Sequence, residues 1–432
     1  MIRILALGLL LALPLAAQEG AAPSPLDAAA ARITPDGLKA HLAEIAGDAY
    51  EGRNSGFPGN DKAGEYIAAH FNKIGLQPAG EKGEDGKTTW FQGFKVGGRP
   101  TRNVLGMVEG SDAALKSEFI VIGAHYDHVG KTGEPSAGRM KNPGGEDDTI
   151  WNGADDNGSG TVTVLEIARA FMDGKVKTKR SILFMTFSGE EWGLIGSKHY
   201  VDNPLIPLAS IAAMINLDMV GRNGTKPMDV GGVGTAEAWI ELCEAAAKGT
   251  GLEYKTSPAV MAGSDHYSFA RKRIPAVHFF TGFHEDYHRQ TDHAEKIDFD
   301  RMAKIGKFGL RLLAITADRT PRMEYTGSSS RVFGVEAENL DEDAAADLKL
   351  PEGEGGLKIM KVSADSAAAG AGVKEGDVIV SFNGKTFDLD DPLSTLRKEL
   401  KAVKDGVEVP VVVLRDGKRV ELKAVWGKKK SY

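Results

Sequence analysis

The chain has 432 residues and a single cysteine, Cys243. With no internal disulfide available, the fold must rest on an apolar core, which a chain of this length can build. Cys243 ends the apolar helical stretch Ala238-Trp239-Ile240-Glu241-Leu242-Cys243, where packing is expected rather than nucleophilic chemistry. Long apolar runs are equally scarce. The N-terminal one, Ile4 to Leu13, is too short to span a membrane. With Arg3 before it and Pro14-Leu15-Ala16-Ala17 after it, it has the layout of a secretory signal peptide cleaved near Ala17. The expected location is therefore secreted or periplasmic, with no membrane attachment after cleavage. Positive charge is not in excess either. The formal charge is −7, and −8 once Arg3 is lost, which argues against nucleic acid or an anionic membrane surface as partner. No long repeat is present.

What the chain does have is alternation. Thr34-Pro35-Asp36 reads as a helix cap, and Ala63 to Ile74 keeps an apolar stripe at helical spacing. From Glu118 onward short apolar runs alternate with helical patterns. Phe119-Ile120-Val121-Ile122, Ile182 to Phe187, Ile211 to Leu217 and Ala276 to Phe280 read as buried strands. Thr161 to Met172 and Arg301 to Thr316 read as helices. This order predicts an α/β fold with a mixed, mostly parallel sheet and helices on both faces. Pro321 to Ser330 has linker composition, and beyond it short β runs with Asn-Gly and Asp-Gly turns indicate a smaller β-rich domain. The expected division is a signal peptide at 1–17, the α/β domain at 18–320, a linker at 321–330, the β-rich domain at 331–427 and a tail at 428–432.

Ligand-type residues recur where these strands should end. His125, Glu190, Glu191 and Asp218 each follow an apolar run, Asp155 sits in Gly153-Ala154-Asp155-Asp156-Asn157, and His288 follows the last strand. Ligands of such sheets gather beyond the carboxyl ends of the strands. Imidazoles and carboxylates without a thiolate suit zinc or a similar divalent ion in an open, catalytic site. A two-metal hydrolase needs a carboxylate shared by both ions, terminal ligands for each, and a base free of the metals. Asp155 suits the shared position because its loop is glycine-rich. Adjacent Glu190 and Glu191 cannot point the same way, so one can bind metal while the other faces the attacking water. Asp127, two residues after His125, can fix the imidazole tautomer. Asp156 reads as a turn-shaping residue, and His128, His266, His278, His284 and His293 read as structural or surface residues. Glu51-Gly52-Arg53 to Gly56 reads as a structural loop.

His-Tyr-Asp, Asn-Gly-Ala-Asp-Asp-Asn-Gly-Ser-Gly, Glu-Glu-Trp-Gly-Leu, Asn-Leu-Asp-Met and Tyr-His together resemble the secreted di-zinc aminopeptidases of the aminopeptidase Y and bacterial leucyl aminopeptidase type. Their wider family includes glutamate carboxypeptidases and glutaminyl cyclases. The resemblance covers about residues 35–318. It implies two Zn2+ per chain, bridged by Asp155, with His125 and Asp218 completing one site and Glu191 and His288 the other. It further implies Glu190 as general base toward a metal-bridged hydroxide, Asp127 as the residue orienting His125, and removal of N-terminal residues from peptides. Ser264-Asp265-His266 resembles a motif of the family beside the substrate pocket. The 29 residues between His125 and Asp155 form an enlarged loop, so the pocket cannot be copied from relatives.

Other functions are less well served. Metallo-carboxypeptidases and dipeptidases of the other co-catalytic zinc family usually insert a dimerisation domain between later ligands. The gaps of 26 residues from Glu191 to Asp218 and 69 from Asp218 to His288 leave no room for one. A glutaminyl cyclase works with one zinc, whereas both ligand sets are present. A non-enzymatic PDZ adaptor on an inactive peptidase scaffold would have lost a ligand. The C-terminal segment from about Val332 to Trp426 resembles a bacterial PDZ domain, in which an extended peptide C-terminus adds as a strand. Val332, Phe333, Gly334 and Val335 are the candidate peptide-binding loop, with a docking or stabilising role for the domain as the alternative to peptide capture.

Overall fold

In the computed structural model, residues 24–136, 148–326 and 333–426 are described, apart from 341, 352, 365, 390–391 and 404–405. The expected signal peptide, the end of the linker, Val332 and the tail lie outside the described residues. No helix among the described residues is long and apolar enough to cross a membrane.

The larger part of the chain is built on a sheet containing β1 (Phe91–Val96), β2 (Arg99–Val108), β3 (Phe119–His125), β4 (Ser181–Phe187), β5 (Ile211–Leu217), β6 (Met228–Gly231), β7 (Tyr254–Ser257) and β8 (Ala276–Phe280). The short strand Gln77–Pro78 opens the order, followed by β2, β4, β3, β5, β8, β6 and β7, with β1 paired to β2. The inner strands β4, β3, β5 and β8 run parallel, while β2 and β6 join them antiparallel. The sheet is thus mixed with a parallel centre, as the alternation of apolar runs and helices predicts.

Alternate residues of each inner strand enter different cores. Ile120, Ile122, Ile182, Phe184, Ile215 and Phe279 pack against α1 (Pro35–Ile45), α2 (Pro58–Lys73), α3 (Gly160–Asp173), α5 (Trp239–Ala247) and α7 (Phe299–Asp318). On the opposite face Val121, Leu183, Met185, Met214 and Ala276 pack against Tyr200 of α4 (Ile195–Asp202) and Phe269 of α6 (His266–Arg271). Burial on both faces explains why these strands are continuous apolar runs rather than alternating ones. Cys243 is buried on α5 in the larger core, in a packing position.

The C-terminal part has its own core. It contains β9 (Val335–Asn339), β10 (Leu357–Val362), β11 (Val378–Phe382), β12 (Lys385–Asp388), β13 (Glu408–Arg415) and β14 (Lys418–Val425), with α8 (Ala367–Ala371) and α9 (Pro392–Ala402). Phe333, Ile379, Phe382, Leu396 and Val411 are buried together there.

Phe308 of α7 is fully buried, with ring centroids 5.2 Å from Phe279 on β8 and 5.3 Å from Tyr254 on β7. Phe308→Ala should destabilise the α/β domain by about 3–5 kcal/mol, read as a shift in its denaturant midpoint. A shift under about 1 kcal/mol would show that α7 does not anchor this face.

Candidate metal centre

Parallel strands deliver the functional side chains to one edge. His125 is the last residue of β3, Glu190 and Glu191 lie just beyond β4, Asp218 follows β5, and His288 lies in the loop after β8. The fifth contribution comes from the tight turn Ala154–Ser159 that leads into α3. There Asp156 and Asn157 leave helical geometry, and the peptide bond between them is cis.

Three anchors hold that turn. Asp292 Oδ2 accepts the main-chain N–H of Asp155 at 2.9 Å and of Asp156 at 3.1 Å. Asn157 Nδ2 donates to Leu217 O at 2.9 Å, and its Oδ1 accepts the N–H of Met219 at 3.2 Å, tying the turn to the residues that flank Asp218. The third anchor is Arg53, whose guanidinium is fully buried. It donates from Nε to Tyr126 O at 2.9 Å, from Nη1 to Ile45 O at 2.8 Å and Asn152 O at 2.6 Å, and from Nη2 to Gly153 O at 2.8 Å. Burial lowers its pKa to about 10, so it stays a cation at neutral pH. The Glu51–Arg53 segment is thus a structural loop that joins the main chain beside His125 to the main chain entering the Asp156 turn.

Asp156, not Asp155, lies between the two groups of ligand-type side chains. One oxygen, Oδ1, is 3.5 Å from His125 Nε2, and His125 Nε2 is 3.4 Å from Asp218 Oδ1. The other, Oδ2, is 3.0 Å from His288 Nε2, which is also 3.0 Å from Glu191 Oε2. Asp155 points elsewhere, with Oδ1 accepting Gly221 N–H at 2.6 Å and Oδ2 facing His284 Nε2 at 3.1 Å. The position expected of Asp155, between the two groups, is therefore occupied by its neighbour Asp156. Asp155 has its oxygens committed to the loop behind the site, and Asp156 is more than a turn residue.

Asp127 is fully buried. Its main-chain carbonyl approaches His125 Nδ1 to 3.2 Å and its carboxylate to 3.5 Å. Both place an acceptor at Nδ1, so Nε2 faces Asp156 and Asp218. The Asp127 carboxylate also accepts Glu190 N–H at 3.2 Å and Ser55 Oγ–H at 2.9 Å, linking the first imidazole to the Glu190 turn. Glu190 reaches to 3.9 Å from His125 Nε2.

The electrostatics show what the site needs. Burial, reinforced by the carboxylates of Asp218, Glu191 and Asp265, pushes Glu190 well above the usual carboxylate range, against the pull of His125. Burial would also raise Glu191, but His288 and His128 outweigh it and hold Glu191 well below that range. Burial opposes protonation of His288, yet Glu191 and Asp156 lift it to about 11. Asp156 Oδ2 and Asp218 Oδ1 are buried with no hydrogen-bond donor among the described residues. Two buried carboxylates, Asp156 and Asp218, each with an oxygen that lacks a donor and lies near imidazole nitrogens, fit divalent cations, since unpaired buried charge is costly.

Sequence reasoning missed several contributors. His128, read as structural, donates from Nδ1 to Glu191 Oε1 at 2.8 Å. Trp151 donates from Nε1 to the carbonyl of His288 at 3.2 Å, bracing a residue whose φ is 55°. Both belong to the base of the enlarged loop, where Gly130–Lys131 pairs with Ile150–Trp151; residues 137–147 of that loop lie outside the described residues. The His128 contact had one local signal, its place three residues after His125. Asp292 had none.

In the β-rich domain, Phe333 is a core residue, its ring centroid 5.3 Å from Phe382 and 6.0 Å from Trp426, so its side chain is not free to contact a peptide. Gly334 has φ 85°, a left-handed conformation suited to glycine. Val335 begins β9, which pairs with β10.

Residues 103–313 match peptidase family M28, and residues 332–425 match the PDZ domain. The α/β domain is thus similar to M28 peptidases and the β-rich domain to PDZ domains. Similar proteins include leupeptin-inactivating enzyme 1 of Streptomyces exfoliatus, 29% identical over 277 residues, covering 64% of this chain and 54% of that protein. Aminopeptidase YwaD of Bacillus subtilis is 29% identical over 255 residues, covering 54% of this chain and 50% of its own. The chain thus spans about half the length of these relatives. The Legionella pneumophila LapA aminopeptidase shares the fold with a TM-score of 0.54 at 22% identity, over 68% of this chain and 75% of that one. The Bacillus subtilis zinc aminopeptidase BSAP does so with a TM-score of 0.52 at 19% identity, over 67% and 96%.

Arg53→Met leaves buried carbonyls unpaired in the α/β domain and should cost about 3 kcal/mol of stability in urea unfolding. A change under about 1 kcal/mol would show that the turn holds without the guanidinium.

Proposed function

We propose that the protein is an exported zinc aminopeptidase that removes N-terminal residues from peptides, acting outside the cytoplasm. One observation carries this reading: a single buried carboxylate, Asp156, offers one oxygen to each of two imidazole–carboxylate groups. His125 and Asp218 would hold the first ion and Glu191 and His288 the second, with Asp156 shared between them. The nitrogen and oxygen donor set suits zinc, and the names of BSAP and YwaD agree with that metal and activity. When bound, such ions polarise the scissile carbonyl and acidify the attacking water.

The chain's own residues supply the rest. Glu190 remains outside both ligand groups, with its carboxylate in reach of the space they enclose. Burial raises its proton affinity, which suits it to take a proton from water and pass it to the leaving amine. Asp127 fixes both His125 and the main chain of Glu190, so the base and the first ligand move together. Phe283 and Tyr287 are exposed; their rings meet edge-to-face with centroids 4.8 Å apart, and Tyr287 stacks on His288 at 3.9 Å. Their apolar surface favours large hydrophobic side chains on the residue released. Capture of a peptide C-terminus at the PDZ domain is the corresponding proposal for Gly334 and Val335, through main-chain groups beside β9.

Digestion of a mixed peptide library with mass-spectrometric readout should show stepwise loss from N-termini, abolished by a chelator and restored by zinc. C-terminal loss, cleavage of dipeptides alone, or cyclisation of N-terminal glutamine would overturn the reading. Glu190→Gln should retain both ions while kcat falls by about 10²-fold or more; a change of only a few-fold would remove Glu190 as base. Asp156→Ala should release both ions on dialysis whereas Asp155→Asn keeps them, and the opposite pattern would return the bridge to Asp155.

A further inference from the structure

The second ligand group contains one side chain that the two-ion reading leaves unexplained. His128 is fully buried. Its Nδ1 lies 2.8 Å from Glu191 Oε1 and 3.8 Å from Asp156 Oδ2, while its Nε2 has no hydrogen-bond partner among the described residues. Glu191 is therefore the ring's hydrogen-bonding partner. The two oxygens of Glu191 are divided, since Oε1 faces His128 and Oε2 faces His288 at 3.0 Å.

These distances separate two roles. Donor atoms about 2.0–2.2 Å from a zinc ion stand roughly 3.0–3.6 Å from one another. His288 Nε2 has that relation to both Asp156 Oδ2 and Glu191 Oε2. His128 Nδ1 does not: it meets the opposite oxygen of Glu191 at hydrogen-bond length.

The ring is also held independently of any ion. The main-chain N–H of His128 donates to Arg53 O at 3.2 Å, and the ring lies against Gly153. A Cβ at Gly153 would come within 2.5 Å of His128 Cγ and Cδ2, so the absence of a side chain there makes room for the imidazole. The turn that carries Asp156 is thus shaped around a ring that grips Glu191.

We propose that His128 is a positioning residue for the second ion, holding Glu191 by one oxygen so that the other alone is presented between His288 and Asp156. This inference rests on the two-ion reading and gives the two metal positions different dependences on one side chain. An imidazole donating to a liganding carboxylate sets that ligand's orientation and basicity, and loss of such a contact typically weakens metal binding about 10–100-fold.

The test is zinc titration of the full chain by competition with a chromophoric chelator, with ions counted by mass spectrometry and cobalt absorption recorded in parallel. Wild-type protein binding two ions supports the two-ion reading, and binding of one ion overturns that reading whatever the variants do. His128→Leu should weaken the second ion about 10–100-fold and leave the first within about threefold. His128→Asn keeps an N–H donor near the Nδ1 position and should restore the second ion to within about threefold, with a wild-type cobalt spectrum. Wild-type affinity in His128→Leu, or equal loss of both ions, would overturn the proposal. So would His128→Asn with the second ion weakened more than about 100-fold, because the imidazole would then be a ligand itself. The His128→Asn arm decides the question even where His128→Leu does not fold.

Discussion

One buried guanidinium organises the site. Arg53 donates to the carbonyls of Tyr126, Asn152 and Gly153, and so fixes the end of β3 against the turn that follows the enlarged loop. His125 and Asp127 flank the first of these contacts in the chain, and Asp156 follows the others. The distance between a strand-end imidazole and a carboxylate from a separate turn is thereby set by hydrogen bonds to main chain, not by side-chain packing. A planar donor with several N–H groups in fixed directions can join three segments in this way, which lysine cannot. Asp292 completes the arrangement by accepting the N–H groups of Asp155 and Asp156.

That framework imposes a charge problem whose solution is the function. Four carboxylates are brought together in a buried site with His125, His128 and His288. Burial, reinforced by the neighbouring carboxylates, raises the proton affinity of Glu190, while the imidazoles outweigh burial and hold Glu191 ionised. The asymmetry supports the proposed roles: an ionised carboxylate beside imidazoles suits a cation, and one with raised proton affinity suits proton transfer. Neighbours in sequence thus acquire different chemistry from their surroundings.

Much of this was legible in the sequence, for identifiable reasons. Ile211–Leu217 and Ala276–Phe280 are observed at the bounds their apolar runs indicate, because inner parallel strands are buried on both faces and end where polarity begins. The gathering of His125, Glu190, Glu191 and Asp218 at one edge follows from the same topology. Spacing could not choose between Asp155 and Asp156. Adjacent side chains in an irregular turn differ only in direction, and here Gly221 and His284 occupy the oxygens of the first. Nor could it reveal the grip of His128 on a residue 63 positions away, or of Asp292 on residues 137 and 136 positions away. Such contacts depend on how loops return to the sheet, and no local periodicity records them.

Everything proposed for the reaction depends on Asp156 being the carboxylate shared by two metal ions. Anomalous diffraction from zinc-loaded crystals, collected on both sides of the zinc absorption edge, would locate the ions against its two oxygens. Two peaks roughly 3.5–4 Å apart are expected, one beside each oxygen of Asp156, the first toward His125 and Asp218 and the second toward Glu191 and His288. A single peak, or a pair that meets Asp155 instead, would contradict the shared role.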